Sequence, residues 1–255
     1  MEKSFYVIGN FKQNGRLASI ERLVATLGSS SSREMLSQCR VVLLPPVPYL
    51  PVTSQMVGAI GIGVGVQVVG GYPDGSRTGC YHAEMVAEMG ASYACVGHSE
   101  RRVQFAEGGK ELAAQYCQIV RSGLTPILCV GETSTQRQQG QTFSVLEAQL
   151  LEVFSCDGFD MLPMHDIILA YEPVWAVGAQ RAADVDSVEE VFVFLRDFLS
   201  RYPRFSQRTL CYGGSVDANN CQQFYQSEHV SGLLVGRACL DVEELMGVIT
   251  QCSGF

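Results

Sequence analysis

The run Ile167-Ile168-Leu169-Ala170-Tyr171-Glu172-Pro173-Val174-Trp175-Ala176-Val177-Gly178 carries an apolar, strand-like stretch straight onto a carboxylate and then into a proline-started loop. Parallel folds build their sites just outside the carboxyl ends of buried strands, so Glu172 is placed for proton transfer; a solvated loop acid is the plainer alternative. A second apolar run, Tyr93–Val96, leads into Gly97-His98-Ser99-Glu100-Arg101-Arg102, which sets an imidazole at another strand end as the candidate acid or electrophile. The remaining histidines, His82, His165 and His229, fall in polar connections or helix starts, where surface positions account for them. Asn10 and Lys12 stand two apart beyond the first run, so an extended backbone points both the same way and pairs an amide donor with a cation. A turn-forming Asn and a solvated Lys would serve equally well there. Three glycine-bearing segments, Val177-Gly178, Tyr212-Gly213-Gly214-Ser215 and Val235-Gly236-Arg237, also follow strand-like runs and let backbone N–H groups approach a phosphate.

Groups so far apart in sequence need a scaffold that brings strand ends together. Eight short apolar runs read as strands: Phe5–Gly9, Val41–Leu44, Gly61–Val66, Tyr93–Val96, Thr125–Val130, Ile167–Tyr171, Thr209–Tyr212 and Gly232–Val235. Amphipathic segments alternate with them. Leu17–Leu27, Lys110–Ser122, Phe143–Phe154, Ser187–Tyr202 and Val242–Gln251 are the clearest helices, with shorter ones near Val52–Val57, Ala83–Met89 and Asn219–Gln226. Eight units in 255 residues leave about 32 per unit, enough for a strand, a crossover helix and two loops. The fold class expected is a single (β/α)8 barrel domain over residues 1–255. A doubly wound nucleotide-binding sheet is disfavoured, because Gly9-Asn10-Phe11-Lys12-Gln13-Asn14-Gly15 lacks the Gly-x-Gly-x-x-Gly spacing. The serine patch Ser29–Ser32 reads as a surface loop, and nothing reads as an interdomain linker.

Composition narrows the function classes. With 47% hydrophobic and 17% charged residues the chain is globular, and a net charge of −8 disfavours nucleic acid or an anionic membrane surface as partner. Any anionic ligand must therefore be held by local groups. Ten scattered cysteines contain no Cys-x-x-Cys pair, so neither a structural zinc site nor a disulfide framework is expected. Apolar neighbours such as Ala94-Cys95-Val96 and Leu128-Cys129-Val130 suit small buried thiols in a reducing, cytoplasmic setting. The start, Met1-Glu2-Lys3-Ser4, leads into Phe5-Tyr6-Val7-Ile8 without a signal-peptide pattern, and no apolar run is long enough to span a membrane.

Six segments in order resemble the triosephosphate isomerase family: Gly9-Asn10-Phe11-Lys12-Gln13-Asn14-Gly15, Val96-Gly97-His98-Ser99-Glu100-Arg101-Arg102, Cys129-Val130-Gly131-Glu132, Ala170 to Gly178, Tyr212-Gly213-Gly214-Ser215 and Gly232-Leu233-Leu234-Val235-Gly236. The resemblance covers essentially the whole chain. It implies that Glu172 moves a proton between the two carbons flanking an enediolate while neutral His98 polarises the carbonyl, roles long known for this family. Lys12 and Asn10 would then stabilise the developing negative charge, with Glu100 in support. By the same resemblance Pro173 to Ala183 form a lid whose Gly178 closes on the phosphate, Ser215, Gly236 and Arg237 offer further donors, and no cofactor is required. The implied substrate is a small phosphorylated triose, and the implied assembly is a homodimer through the Gly71–Gly79 loop. Cys129 and Trp175 receive no chemical role.

Departures from the family pattern are few. The lid reads Gly178-Ala179-Gln180-Arg181 in place of the usual Gly-Thr-Gly-Lys, losing a hydroxyl and a glycine. Arg237 stands for a usual glycine, Cys80 for a glutamate, Val68 for an asparagine, Gln13 for a methionine and Phe11 for a tryptophan. The altered lid and Arg237 invite an isomerase of a longer phosphosugar as alternative. A catalytically silent scaffold barrel is a third reading; it would predict loss of Lys12, His98 or Glu172, all of which are present.

Overall fold

A computed structural model of the chain describes residues 5–29, 33–72, 75–154, 157–179 and 181–254. Eight parallel strands close into a barrel in chain order. They are β1 (Phe5–Asn10), β2 (Cys39–Leu44), β3 (Gly63–Val66), β4 (Tyr93–Val96), β5 (Thr125–Val130), β6 (His165–Tyr171), β7 (Phe205–Gly213) and β8 (Gly232–Val235). The expected barrel is thus present.

Alternation along each strand explains why the runs looked uniformly apolar. In β1, Phe5 and Val7 join the layer under the helices while Tyr6 and Ile8 point into the barrel; in β6, Ile167, Leu169 and Tyr171 face out and Ile168 and Ala170 face in. Both faces are dry, so the sequence shows no polar alternation. Inside the barrel, bulky Ile8, Leu44, Ile127 and Ile168 interleave with small Cys95, Cys129, Ala170 and Cys211, which fills the interior without a pore. Each fully buried side chain such as Leu169 stabilises the fold by about 1.5–3 kcal/mol.

The outer layer comprises α1 (Leu17–Leu27), α2 (Arg33–Gln38), α3 (Leu50–Val57), α4 (Ala83–Glu88), α5 (Ser99–Gln104), α6 (Gly109–Arg121), α7 (Ser134–Gln138), α8 (Thr142–Phe154), α9 (Val185–Ser200), α10 (Cys221–Tyr225) and α11 (Val242–Cys252). The long ones bury one stripe each, as α9 does with Val188, Val191, Phe192, Leu195, Phe198 and Leu199. Caps fix their starts. Asp184 Oδ2 accepts from Ser187 N at 3.3 Å before α9, and Asp241 Oδ1 accepts from the N–H groups of Glu243 and Glu244 before α11.

Several details differ from expectation. Helices α2, α5 and α7 stand where connections were read, because each is too short to show an apolar stripe; α7 owes its start to a Thr133–Gln136 capping box. Strand β7 begins at Phe205 rather than Thr209, its exposed Ser206, Gln207 and Arg208 having masked the strand. His165 lies in β6 rather than in a connection, half-buried, with Nε2 2.8 Å from Tyr116 Oη and Nδ1 2.8 Å from the Pro163 carbonyl. Residues 30–32 of the serine patch, 73 and 74 of the Gly71–Gly79 loop, the first four residues and Gln180 of the lid lie outside the described residues.

Candidate active site

Gly97, at φ +71°, turns the chain out of β4 so that His98 becomes the N-cap of α5. Its Nδ1 accepts from the Glu100 N–H at 3.2 Å, which leaves Nε2 as the protonated nitrogen, 3.2 Å from Glu172 Oε1. Burial pulls the imidazole's pKa down, but the adjacent Glu172 carboxylate outweighs burial and, on charge alone, raises it to about 9. The hydrogen bond to Nδ1 decides otherwise. A second ring proton would point at the Glu100 N–H, so the neutral Nε2–H form is the one that satisfies both contacts.

Glu172 follows β6 directly, its N–H donated to the Val130 carbonyl at 2.8 Å. Two glycines make room for it: a Cβ on Gly213 would stand 2.7 Å from Glu172 Cγ, and one on Gly131 would stand 2.0 Å from its carbonyl oxygen. The side chain is 4% exposed, and its second oxygen, Oε2, is buried without a hydrogen-bond partner. Burial raises the carboxyl's pKa, but the hydrogen bonds from the His98 N–H and the Cys129 thiol, with the charge of Lys12, outweigh burial and hold it below the ordinary carboxylate value. The result is an ionised, sparsely solvated base with one lone-pair-bearing oxygen uncommitted.

The cation arrives by a different geometry from the one expected. Strand β1 ends at Asn10, and Lys12 adopts φ +51°, a left-handed conformation that costs a non-glycine residue about 1–3 kcal/mol. Local hydrogen bonds hold it there: Lys12 N donates to Asn10 Oδ1 at 3.0 Å and Gln67 Nε2 donates to the Lys12 carbonyl at 2.9 Å. Lys12 Nζ meets Glu100 Oε1 at 2.7 Å, so Glu100 ties the cation to the helix that His98 starts.

One cavity of about 340 Å³ is lined by Asn10, Lys12, His98, Glu172, Gly178, Ser215, Gly236 and Arg237, with Glu100 reaching it only through Lys12 and His98. Val177 and Gly178, in the segment expected to be a lid, line this cavity, and the described residues around them are tied to the β7 side. Ser215 N donates to the Ala176 carbonyl at 3.1 Å, Ser215 Oγ to the Ala179 carbonyl at 2.6 Å, and Ala183 N to Tyr212 Oη at 2.8 Å. The Ser215 N–H, expected to face a phosphate, is therefore spent on the lid. Gly178, at φ +69°, and the turn opened by Gly236 and Arg237 remain as the places where backbone donors face the cavity.

Two supporting residues were not singled out from the sequence. Glu132, at the end of β5, is fully buried and accepts from Tyr171 Oη (3.2 and 3.1 Å), Trp175 Nε1 (3.0 Å) and Arg137 Nη1 (3.2 Å), fixing the first lid residues to the barrel. Tyr212, whose hydroxyl burial pushes up to about 12, receives the far end of the lid. Both sit inside segments that carried the family resemblance, yet their roles depend on contacts that spacing does not show.

Comparison with known proteins agrees with this geometry. Residues 5–252 match the family model described as triosephosphate isomerase. Curated relatives with that name include one from Methylococcus capsulatus, 36% identical over 251 residues (97% of this chain, 98% of the relative), and one from Hydrogenovibrio crunogenus, 36% identical over 255 residues (99% of each). A third, from Colwellia psychrerythraea, is 34% identical over 260 residues and spans both chains fully. A closed eight-stranded barrel, a facing carboxylate and imidazole at two strand ends, and a match over nearly all its length place this chain in the triosephosphate isomerase family.

Proposed function

We propose that this chain, acting as one domain, interconverts D-glyceraldehyde 3-phosphate and dihydroxyacetone phosphate, with Glu172 as base, His98 as electrophile and Lys12 and Asn10 as charge stabilisers. The observation that carries the reading is the pairing of Glu172 Oε1 with His98 Nε2 at 3.2 Å on the wall of a cavity that Lys12 also lines. A substrate carbonyl inserted between them meets an N–H donor on one side and an ionised carboxylate on the other. Glu172 removes the proton from the carbon beside the carbonyl; the electron pair moves onto the carbonyl oxygen, which the His98 N–H and the Lys12 ammonium stabilise. The hydroxyl proton of the neighbouring oxygen passes to this one by way of His98 Nε2, and returning the carbon proton to the neighbouring carbon completes the exchange of aldose for ketose. Only protons move, so side chains suffice. The lid's hydrogen bonds support a water-excluding role, which protects an enediolate from losing its phosphate. Backbone N–H groups at Gly178, Gly236 and Arg237 hold the phosphate, joined by that of Ser215 when the lid rearranges around it.

The assembly is a homodimer through the Gly71–Gly79 loop. Support comes from the exposed run from Gly75 to Cys80 and from exposed Met85, Met89, Val103 and Phe105, an apolar surface that a second copy would cover. The cytoplasm is the compartment assigned, a place where free thiols such as Cys80 persist; no helix among the described residues is long and apolar enough to cross a membrane.

Steady-state isomerisation of glyceraldehyde 3-phosphate tests the reading. The wild type should turn over rapidly, and Glu172→Gln should lose about 10²- to 10⁴-fold in kcat, the usual worth of a positioned base. Equal or better turnover of a four-carbon ketose phosphate, or a fully active Glu172→Gln, would overturn it.

A further inference from the structure

We propose that Arg237 is a positioning residue that latches the lid: from the turn after β8 its guanidinium holds the Ala179 carbonyl and sets how long the closed site persists. The Ala179 carbonyl receives two donors from two different loops, Ser215 Oγ at 2.6 Å and Arg237 Nη2 at 3.0 Å. Each of the carbonyl's two lone pairs is thereby engaged. The Ser215 and Tyr212 contacts with the lid come from the end of β7 and the loop after it, so Arg237 alone, among the described contacts, ties the lid to the segment after β8. The lid is gripped from both sides.

Two departures noted in the sequence meet at this contact. Ala179 stands where the family has a threonine, so the lid has lost a hydroxyl; Arg237 stands where the family has a glycine, so the barrel has gained a side-chain donor. The donor points at the backbone of the very residue that lost one. A guanidinium–carbonyl hydrogen bond involves a charged donor and is stronger than a neutral one, yet Arg237 is exposed and water competes for it. The latch should therefore shift the closed population by about 1.5-fold to fivefold rather than by orders of magnitude. A shift of that size tunes lid opening without locking the site.

The inference rests on the isomerase reading for what the lid encloses, but the latch itself can be read without substrate. Trp175, the only tryptophan in the chain, lies at the lid's start with its indole N–H on Glu132, so its fluorescence reports lid motion. Temperature-jump relaxation of that fluorescence should be recorded without ligand for the wild type, Arg237→Met, Arg237→Gly and Arg237→Lys. The Met and Gly variants should open about 1.5-fold to fivefold faster, with the Lys variant recovering part of the difference. In parallel, KM for glyceraldehyde 3-phosphate should rise by a similar factor while kcat does not fall. Unchanged relaxation in the Met and Gly variants overturns the latch; if affinity for inorganic phosphate then falls, the guanidinium acts on the phosphate instead. A wild type that relaxes as expected but turns over no triose phosphate would sink the isomerase reading and leave the latch standing.

Discussion

Two buried glutamates end adjacent strands and behave in opposite ways. Glu132, after β5, has both oxygens engaged by Tyr171, with Trp175 and Arg137 adding donors to Oε1. Glu172, after β6, has the His98 N–H on Oε1 and, apart from the Cys129 thiol lying against the carboxylate, no donor on Oε2. Both are carboxylates in the same rim of the same barrel, so residue type and depth do not separate structure from chemistry. The count of donors does. A saturated carboxylate is an anchor, because moving it strands several partners; an undersaturated one keeps a lone pair for a substrate proton. The barrel thus spends its hydrogen bonds on the carboxylate that holds the lid and withholds them from the one placed to react.

Exchanging the two losses gives the largest expected effects. Glu172→Gln should remove most of kcat, as above, with a loss of urea stability smaller than that of Glu132→Ala, since its carboxylate is held by fewer donors. Glu132→Ala should do the reverse first. Leaving Tyr171, Trp175 and Arg137 without their acceptor should cost about 3–5 kcal/mol in urea denaturation. A Glu132→Ala protein within about 1 kcal/mol of wild type would mean the four contacts are not what anchors this rim.

How far this contrast could be read in advance follows from what sequence patterns encode. The eight strands and the strand-end positions of His98 and Glu172 were legible, because alternation of apolar runs with amphipathic segments is a property of the chain itself. The uniform apolarity of β1 and β6 signalled burial on both faces. Helix α5 was not legible: Ser99-Glu100-Arg101-Arg102-Val103-Gln104 buries only Ser99, so no stripe marks it, although the His98 side chain starts it. The left-handed turn at Lys12 was equally hidden, since a lysine gives no sign of positive φ and the supporting Gln67 lies 55 positions away. Saturation of Glu132 and undersaturation of Glu172 are long-range properties that neither carboxylate's neighbours in sequence reveal.

Gly213 offers a sharper test of the same contrast, because it disturbs one carboxylate without touching the other. A Cβ there would lie 2.7 Å from Glu172 Cγ and must displace the side chain, whereas Glu132 is held from β6 and α7. A displacement of about 1 Å should cost about 10²-fold in kcat. Gly213→Ala should accordingly lower kcat while Trp175 fluorescence, reporting the Glu132 side, keeps its wild-type spectrum. Loss of both together would show that the two carboxylates are coupled rather than independent.

The smallest expected effect concerns protonation. The pKa of Glu172 lies below the ordinary carboxylate value of 4.5, with the His98 N–H, the Cys129 thiol and Lys12 outweighing burial. A group whose folded pKa is depressed stabilises the fold above its unfolded pKa and loses that contribution as pH falls through the folded one. Glu172 should therefore stabilise the protein fully above about pH 4.5 and progressively less below it. Carbon-13 NMR of side-chain-labelled glutamate, assigned by difference against Glu172→Gln, reads this directly and avoids the substrate phosphate's own titration. Cys129→Ala should move the midpoint upward, since the thiol is one of the groups holding the charge. If the midpoint instead stands above 4.5 in the wild type, burial dominates over the three partners, and the uncommitted Oε2 would be a proton carrier at rest rather than a base in waiting.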